Sequence, residues 1–178
     1  RAGNIKLAQE LLSQGAAADS RDRNGDTAML FAIRKGDKAM VSLLLQNHAD
    51  PNFANISRVT PLMTAAFEGQ VDILDLLLKA GANTSFEDRV AKTAAIYAAA
   101  NGQTQCLEKL ISTGIPVNQT YAGNETLLMW AAGYGHEENV SLLLKLGADK
   151  NLKDERGMTA LQMAQEGNHV RVIKLLAD

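Results

Sequence analysis

The sequence predicts an all-α solenoid of stacked helix-turn-helix units joined by β-hairpin-like loops. Three observations predict it. Thr27, Thr60, Thr93, Thr126 and Thr159 stand 33 residues apart, and each opens a similar apolar string, from T-A-M-L-F-A-I in the first copy to T-A-L-Q-M-A-Q in the last. Nine residues after each Thr comes Gly36, Gly69, Gly102, Gly135 or, in the last copy, Asn168. A leucine-rich stretch follows, such as Leu43-Leu44-Leu45 or Leu142-Leu143-Leu144, and then a turn: H-A-D at 48, G-A-N at 81, G-I-P at 114, G-A-D at 147. A self-similar period of this size marks stacked supersecondary units, none of which buries its apolar face alone.

One copy justifies each element. Thr126 is a helix N-cap, its hydroxyl placed to accept from the exposed amides of the first turn. About two helical turns follow, from Leu127 to Tyr134, and Gly135 supplies the left-handed residue that ends them, a role Asn168 can take in the last copy. A second helix is predicted from about Glu137 to Leu146, because Val140, Leu143 and Leu144 share one face. Gly147 stops it, and Asp149, Asn151, Asp154 and Gly157 give the link to the next copy its turn chemistry.

These strings carry a resemblance. T-P-L-M-T-A-A at 60, G-Y-G-H at 133, V-S-L-L-L at 140 and G-A-D-K-N at 147 recur in register over nearly the whole chain, and together they resemble the ankyrin-repeat pattern. A tetratricopeptide array, the nearest competitor, has a period of about 34 and lacks the Gly-Ala-Asp turn. The resemblance implies an ankyrin-repeat α-solenoid, with 1–178 as a single domain: a partial repeat at 1–20 and repeats at 21–53, 54–86, 87–119, 120–152 and 153–178. In the partial repeat, Leu7, Leu11 and Leu12 are expected to form the core face of a second helix whose first helix is missing, so the native protein is expected to extend upstream. Gln162 and Gln165 give the last repeat the polar character of a C-terminal cap.

Three departures from the pattern carry expectations. Arg58 and Ala91 stand where Gly25 and Gly157 stand in other hairpins, so the hairpins of repeats two and three are expected to change shape rather than hold these residues at positive φ. Ala95 replaces Leu62, Leu128 and Leu161, a loss of core volume that marks repeat three as the weak point. His48 replaces a helix-ending glycine, a place His tolerates better than most residues.

Composition narrows the function. The chain has 178 residues, 46% of them apolar, enough for a sizeable core, and a net charge of −2, which argues against a general grip on nucleic acid or anionic lipid. No apolar run approaches the roughly 18 residues of a membrane span. A lone cysteine, Cys106, allows no intrachain disulfide and aligns with Met40, Ile73 and Val172 as a buried small hydrophobe. Asn55, Asn83, Asn118, Asn124 and Asn139 lie in N-x-[ST] acceptors, where sugar would disturb packing. The expected compartment is the cytoplasm, with bacterial export left open.

No catalytic constellation emerges. There is no phosphate-binding glycine loop, no paired C-x-x-C and no G-x-S-x-G. H-E-E-N at 136 lacks the second His of a zinc helix. His136 and His169 are equivalent residues of adjacent repeats, about 8–10 Å apart by helix spacing, and read as turn-stabilising residues rather than shared metal ligands. The expectation is no enzyme, no cofactor and no metal.

The aromatics point to binding instead. One Trp, three Tyr and four Phe are present, and none falls in a second helix. In ankyrin-repeat proteins the first helices and hairpins line the concave groove and finger tips. The resemblance therefore implies a protein-protein interaction module, with Trp130, Tyr134, Tyr121, Tyr97, Phe67 and Phe31 as contact candidates and Arg21, Arg23, Arg34 and Lys35 as a basic end of the groove. Trp and Tyr dominate interface hot spots because they bury large areas yet keep a polar handle. The expected partner is a protein, bound by a monomer; the alternative is an inhibitor or exported effector that acts by covering a target enzyme.

Overall fold

The computed structural model describes residues 2–177, with side chains described from Asn4 onward. Among these residues all regular structure is helical, and the only β pairing is two isolated bridges, Arg21 with Thr27 and Thr120 with Thr126. The chain divides into two compact units, 1–90 and 91–178.

In the first unit, α1 (Ala2–Ser13), α3 (Lys38–Gln46) and α5 (Val71–Lys79) are second helices, and α2 (Ala28–Arg34) and α4 (Pro61–Glu68) are first helices. α3 packs on α1 and α5, α2 packs on α4, and each first helix packs on the second helix that follows it. The second unit repeats the plan with first helices α6 (Ala94–Ala100), α8 (Leu127–Gly133) and α10 (Ala160–Glu166) and second helices α7 (Thr104–Ser112), α9 (Glu137–Lys145) and α11 (Val170–Ala177). α8 lies between α6 and α10, and α9 between α7 and α11. The predicted pair 127–134 and 137–146 is thus present, each helix one residue shorter.

Each periodic threonine caps its helix. The hydroxyls of Thr27, Thr60, Thr93, Thr126 and Thr159 accept from the amide three residues on, at 3.2–3.4 Å. In the last copy Gln162 Oε1 also accepts from the Thr159 amide at 2.9 Å, closing a reciprocal capping box. The core between helix layers is made of small and branched residues: Leu62, Ala65, Ala66, Leu74 and Leu77 in the first unit, and Ala95, Ala98, Ala99, Cys106, Leu128 and Leu143 in the second, all buried. Of the predicted face of α1, Leu12 is half-buried, whereas Leu7 and Leu11 stay exposed. Leu11 and Leu12 line an apolar cleft of about 430 Å³ shared with Phe31, Ala32 and Met40.

Left-handed backbone recurs at the hairpin and at the ends of both helices in repeats one to three, and side chains other than glycine accept it. Asn168 ends its first helix at φ 55°, and His48 its second at φ 62°. The expected change of shape in two hairpins does not occur. Arg58 and Ala91 sit at φ 61° and 58°, as Gly25 and Gly157 do at 74° and 78°. The hairpin overrides the residue because its base is clamped. Asn55 Oδ1 accepts from the amides of Ser57 and Val59, and Asp88 Oδ1 from that of Val90. The tips are also tied to one another: Ile56 N donates to Asn24 O, Arg89 N to Ser57 O and Glu155 N to Gly123 O. Such a residue stores about 1 kcal/mol or more of strain, and the Arg58 guanidinium recovers some of it over the Phe86 ring, 5.3 Å from its centroid.

Polar groups fix the spacing of neighbouring repeats. His136 Nε2 donates to Ala100 O, and His169 Nε2 to Gly133 O, both at 2.9 Å; because a carbonyl only accepts, the proton is on Nε2 in each. Both histidines, read from their positions as turn-stabilising, instead bond to the first helix of the preceding repeat. Asn139, fully buried, donates from Nδ2 to both Ala98 O and Ala99 O at 3.0 Å. Asn55 and Asn118 likewise use their amide nitrogens, on Asp26 and on Gly147 O. Sugar on any of the three would remove a contact that holds two repeats together.

Two outcomes follow from these contacts. A Cβ on Gly135 would collide with the ring of His169, whereas one on Gly147 would meet nothing within 4 Å, and both glycines have positive φ, 77° and 88°. Gly147→Ala should therefore cost about 1 kcal/mol from backbone strain alone, and Gly135→Ala about twice that, because it also displaces the His169 bond; urea unfolding measures both. Asp26 is buried, and the hydrogen bond from Arg34 at 2.6 Å outweighs its desolvation and, with help from Asn55, holds its carboxyl below the usual range. Its contribution is present at neutral pH and is lost as pH falls through that lowered pKa. Asp26→Asn should destabilise by about 1 kcal/mol at pH 7, given that Arg34 is partly exposed, and should flatten the loss of stability below about pH 4; thermal melts across pH check both.

Candidate protein-binding surface

The hairpin bases decide where side chains of the inter-repeat loops point. Asp22, Asn55, Asp88 and Asp154 occupy one repeat position, and each accepts loop amides through its side chain. Tyr121 holds the same position in the fourth hairpin, which instead forms a 3-10 turn over Ala122–Asn124. Its phenol turns inward to Thr93 and is half-buried; burial raises its pKa, and the Thr93 bond opposes that in part. Tyr121 thus sits at the hairpin base and is less exposed than Phe31, Phe67 or Tyr134.

In the second unit the first helices bring aromatic and charged groups together. Trp130 and Tyr134 are one helical turn apart on α8 and its C-cap, so their rings stack, with centroids 6.0 Å apart and planes within 10°. Tyr134 is 56% exposed and Trp130 half-buried. Lys92 Nζ lies 4.7 Å from the Trp130 ring centroid and 5.9 Å from that of Tyr97, joining these two rings through one ammonium. The buried indole Nε1 of Trp130 has no hydrogen-bond acceptor among the described residues. Beside the stack is a cleft of about 480 Å³, walled by Glu125, Met129, Trp130, Tyr134, Arg156, Met163 and Glu166. Burial raises the pKa of Glu125; Arg156 and Lys92 pull it down, while Asp154 adds to the rise. Asp154 is itself pushed up by burial, but the Met158 amide and the Arg156 guanidinium, at 2.8 Å, outweigh this and hold it low.

In the first unit Phe31 and Phe67 are 45% and 47% exposed, both on first helices. The four basic candidates separate into two kinds. Arg34 is ion-paired with Asp26 and lies 5.7 Å from the Phe31 centroid, and Arg21 lies over Phe53 at 4.0 Å. Arg23 and Lys35 are exposed. Half of the basic cluster therefore serves the fold's own contacts.

Several surface residues escape a reading by aromatic position alone. Ile56 and Val90, 53% and 67% exposed, are apolar side chains at hairpin tips. Their signal was present as a large aliphatic residue inside a run of turn-forming residues. Lys92, Glu125 and Arg156 gain their place only through stacking of hairpins against first helices, which no local pattern encodes. On the second helices the exposed positions include charged residues such as Lys38, Asp72 and Glu138. Among the described residues no group of three His, Cys, Asp or Glu side chains could hold a metal ion, and no helix is long and apolar enough to cross a membrane.

Comparison with known proteins agrees with this architecture. Segments 1–88 and 83–154 match the family model described as ankyrin repeats (3 copies). The chain is similar to the human ankyrin repeat domain-containing protein 63, 43% identical over 56 residues, which is 32% of this chain and 15% of that protein. It is also similar to the regulatory protein SWI6 of Kluyveromyces lactis, 48% identical over 44 residues, 25% of this chain and 6% of that one. The matches thus span a small part of either relative's length. With matched segments over most of its length, and with capped helix pairs, left-handed helix ends and hairpins recurring at one period, the chain belongs to the ankyrin-repeat family.

Proposed function

We propose that this chain is a protein-binding module that takes its partner on the first-helix face and hairpin tips, the concave side in an ankyrin-repeat arrangement. Ankyrin repeats are in general protein-protein interaction modules. The observation that carries the finer reading is where the exposed aromatics lie. Phe31, Phe67 and Tyr134, each about half exposed, all belong to first helices or their C-caps. An exposed aromatic ring offers large contact area at small entropy cost, so Phe31 and Phe67 in the first unit and Tyr134 in the second each offer area a partner can desolvate. Ile56 and Val90 add exposed apolar area at the hairpin tips of the first unit.

The test uses residues whose removal leaves the fold intact. Trp130 is half-buried, so its truncation mixes folding with binding; Phe67 and Tyr134 are better probes. For a partner selected by display against the whole chain, Phe67→Ala or Tyr134→Ala should each weaken binding by about 2 kcal/mol where the residue is a central anchor. Arg23→Ala should change mainly the association rate and its salt dependence. Glu138→Ala, on a second helix, should leave affinity unchanged. Titration calorimetry beside a thermal melt of each variant reads the result; equal losses for Glu138→Ala and the aromatic variants would place the surface elsewhere.

A further inference from the structure

We infer that the cleft beside Trp130 and Tyr134 receives the cationic side chain of a basic partner segment. The inference rests on the protein-binding reading and gives the partner a chemistry. Three observations carry it. The exposed wall is the Tyr134 ring, stacked on Trp130, and an aromatic face of this kind attracts a cation. The molecule already shows this locally, because its own Lys92 ammonium sits over Trp130, leaving Tyr134 as the open ring.

The charges lining the cleft supply the second observation. Arg156 is the cation in its wall, and its guanidinium is committed to the buried Asp154 at 2.8 Å. Glu125 and Glu166 also line the cleft, and neither closes an ion pair among the described residues. Arg156 cancels Asp154, and Lys92, over the Trp130 ring and attracting Glu125, offsets one of the two remaining carboxylates, so one net negative charge is left beside the aromatic wall. An acidic side chain entering here would meet like charge, and a neutral one would leave Glu125 more deeply desolvated with no new partner.

The third observation is the fit. The cleft, about 480 Å³, is open at the surface and lined below by Met163, a thioether chain that adapts to a long methylene stem, with Met129 held beneath by its bond to the Thr126 amide. An arginine or lysine stem would lie on Met163, with its charged head on Tyr134 and between the carboxylates. Arginine makes the better probe, because a planar guanidinium stacks on a ring and forks to carboxylates at once.

Trp130 is the chain's sole tryptophan, so its fluorescence reports on this cleft. The probes are three blocked pentapeptides, Leu-Ala-X-Ala-Leu, with arginine, norleucine or glutamate at X, titrated into the full chain at low salt. The arginine peptide should change Trp130 emission saturably, with a midpoint about tenfold below that of the norleucine peptide and further below that of the glutamate peptide. The double variant Glu125→Gln, Glu166→Gln should bring the arginine peptide to the norleucine level while circular dichroism stays unchanged. Equal or tighter binding of the norleucine peptide overturns the cationic assignment while leaving the aromatic surface as a binding face. Tighter binding of the glutamate peptide, an unchanged preference in the double variant, or no saturable response to any peptide up to about 1 mM overturns it too. The broader protein-binding reading is judged separately, by whether Phe67→Ala and Tyr134→Ala weaken a selected partner.

Discussion

Every repeat helix from α2 onward is seven to nine residues long, and this shortness is the constraint from which the rest follows. Isolated helices of that length are marginal in water, because the cost of nucleation is spread over too few hydrogen bonds. Stability has to come from burial between neighbours, and burial requires that neighbours dock at a constant distance. The small residues on the first helices, Ala65 and Ala66 on α4 or Ala98 and Ala99 on α6, let backbones approach closely. The polar clamps then set the register. His136, His169 and Asn139 each reach a carbonyl at or near the end of a preceding first helix, where helical hydrogen bonding has run out.

The same logic explains why caps matter more here than in a long helix. A seven-residue helix has four orphan amides at one end and four orphan carbonyls at the other, so more than half of its backbone groups lack an internal partner. The threonine at each N-cap and the left-handed residue at each C-terminal end are therefore part of the helix rather than ornaments on it. Their strict recurrence is what made the repeat visible in the sequence. Periodicity in this chain is a record of which backbone groups would otherwise go unpaired.

That record was legible for the fold and only in part for the surface. Helix pairs, caps and turns could be read because each depends on residues a few positions apart. The shapes of the second and third hairpins could not, because Arg58 and Ala91 obey the clamps at the loop base rather than their own backbone preferences. Arg34 looked like a free cation until the buried Asp26, eight residues away, accounted for it. The basic and acidic groups around Trp130 come from three hairpins and the helix α10, and their meeting is a product of stacking. Side chains that act across repeats leave no short-range trace, whereas those that finish a helix do.

The burial of Asn139 has a practical consequence for making the protein. Its side chain is inaccessible in the folded chain, yet it lies in an N-x-S triplet exposed while the polypeptide is still being synthesised. A host that attaches glycans to nascent secreted chains could modify it before α9 docks on α7. The sugar would then occupy the space reserved for the Ala98 and Ala99 carbonyls, and the affected molecules could not close the second unit. Yield in such a host would depend on a race between docking and glycan transfer. Asn139→Gln would not settle that race cleanly, since its longer amide overshoots the same two carbonyls; changing Ser141, half-buried and outside that contact, would.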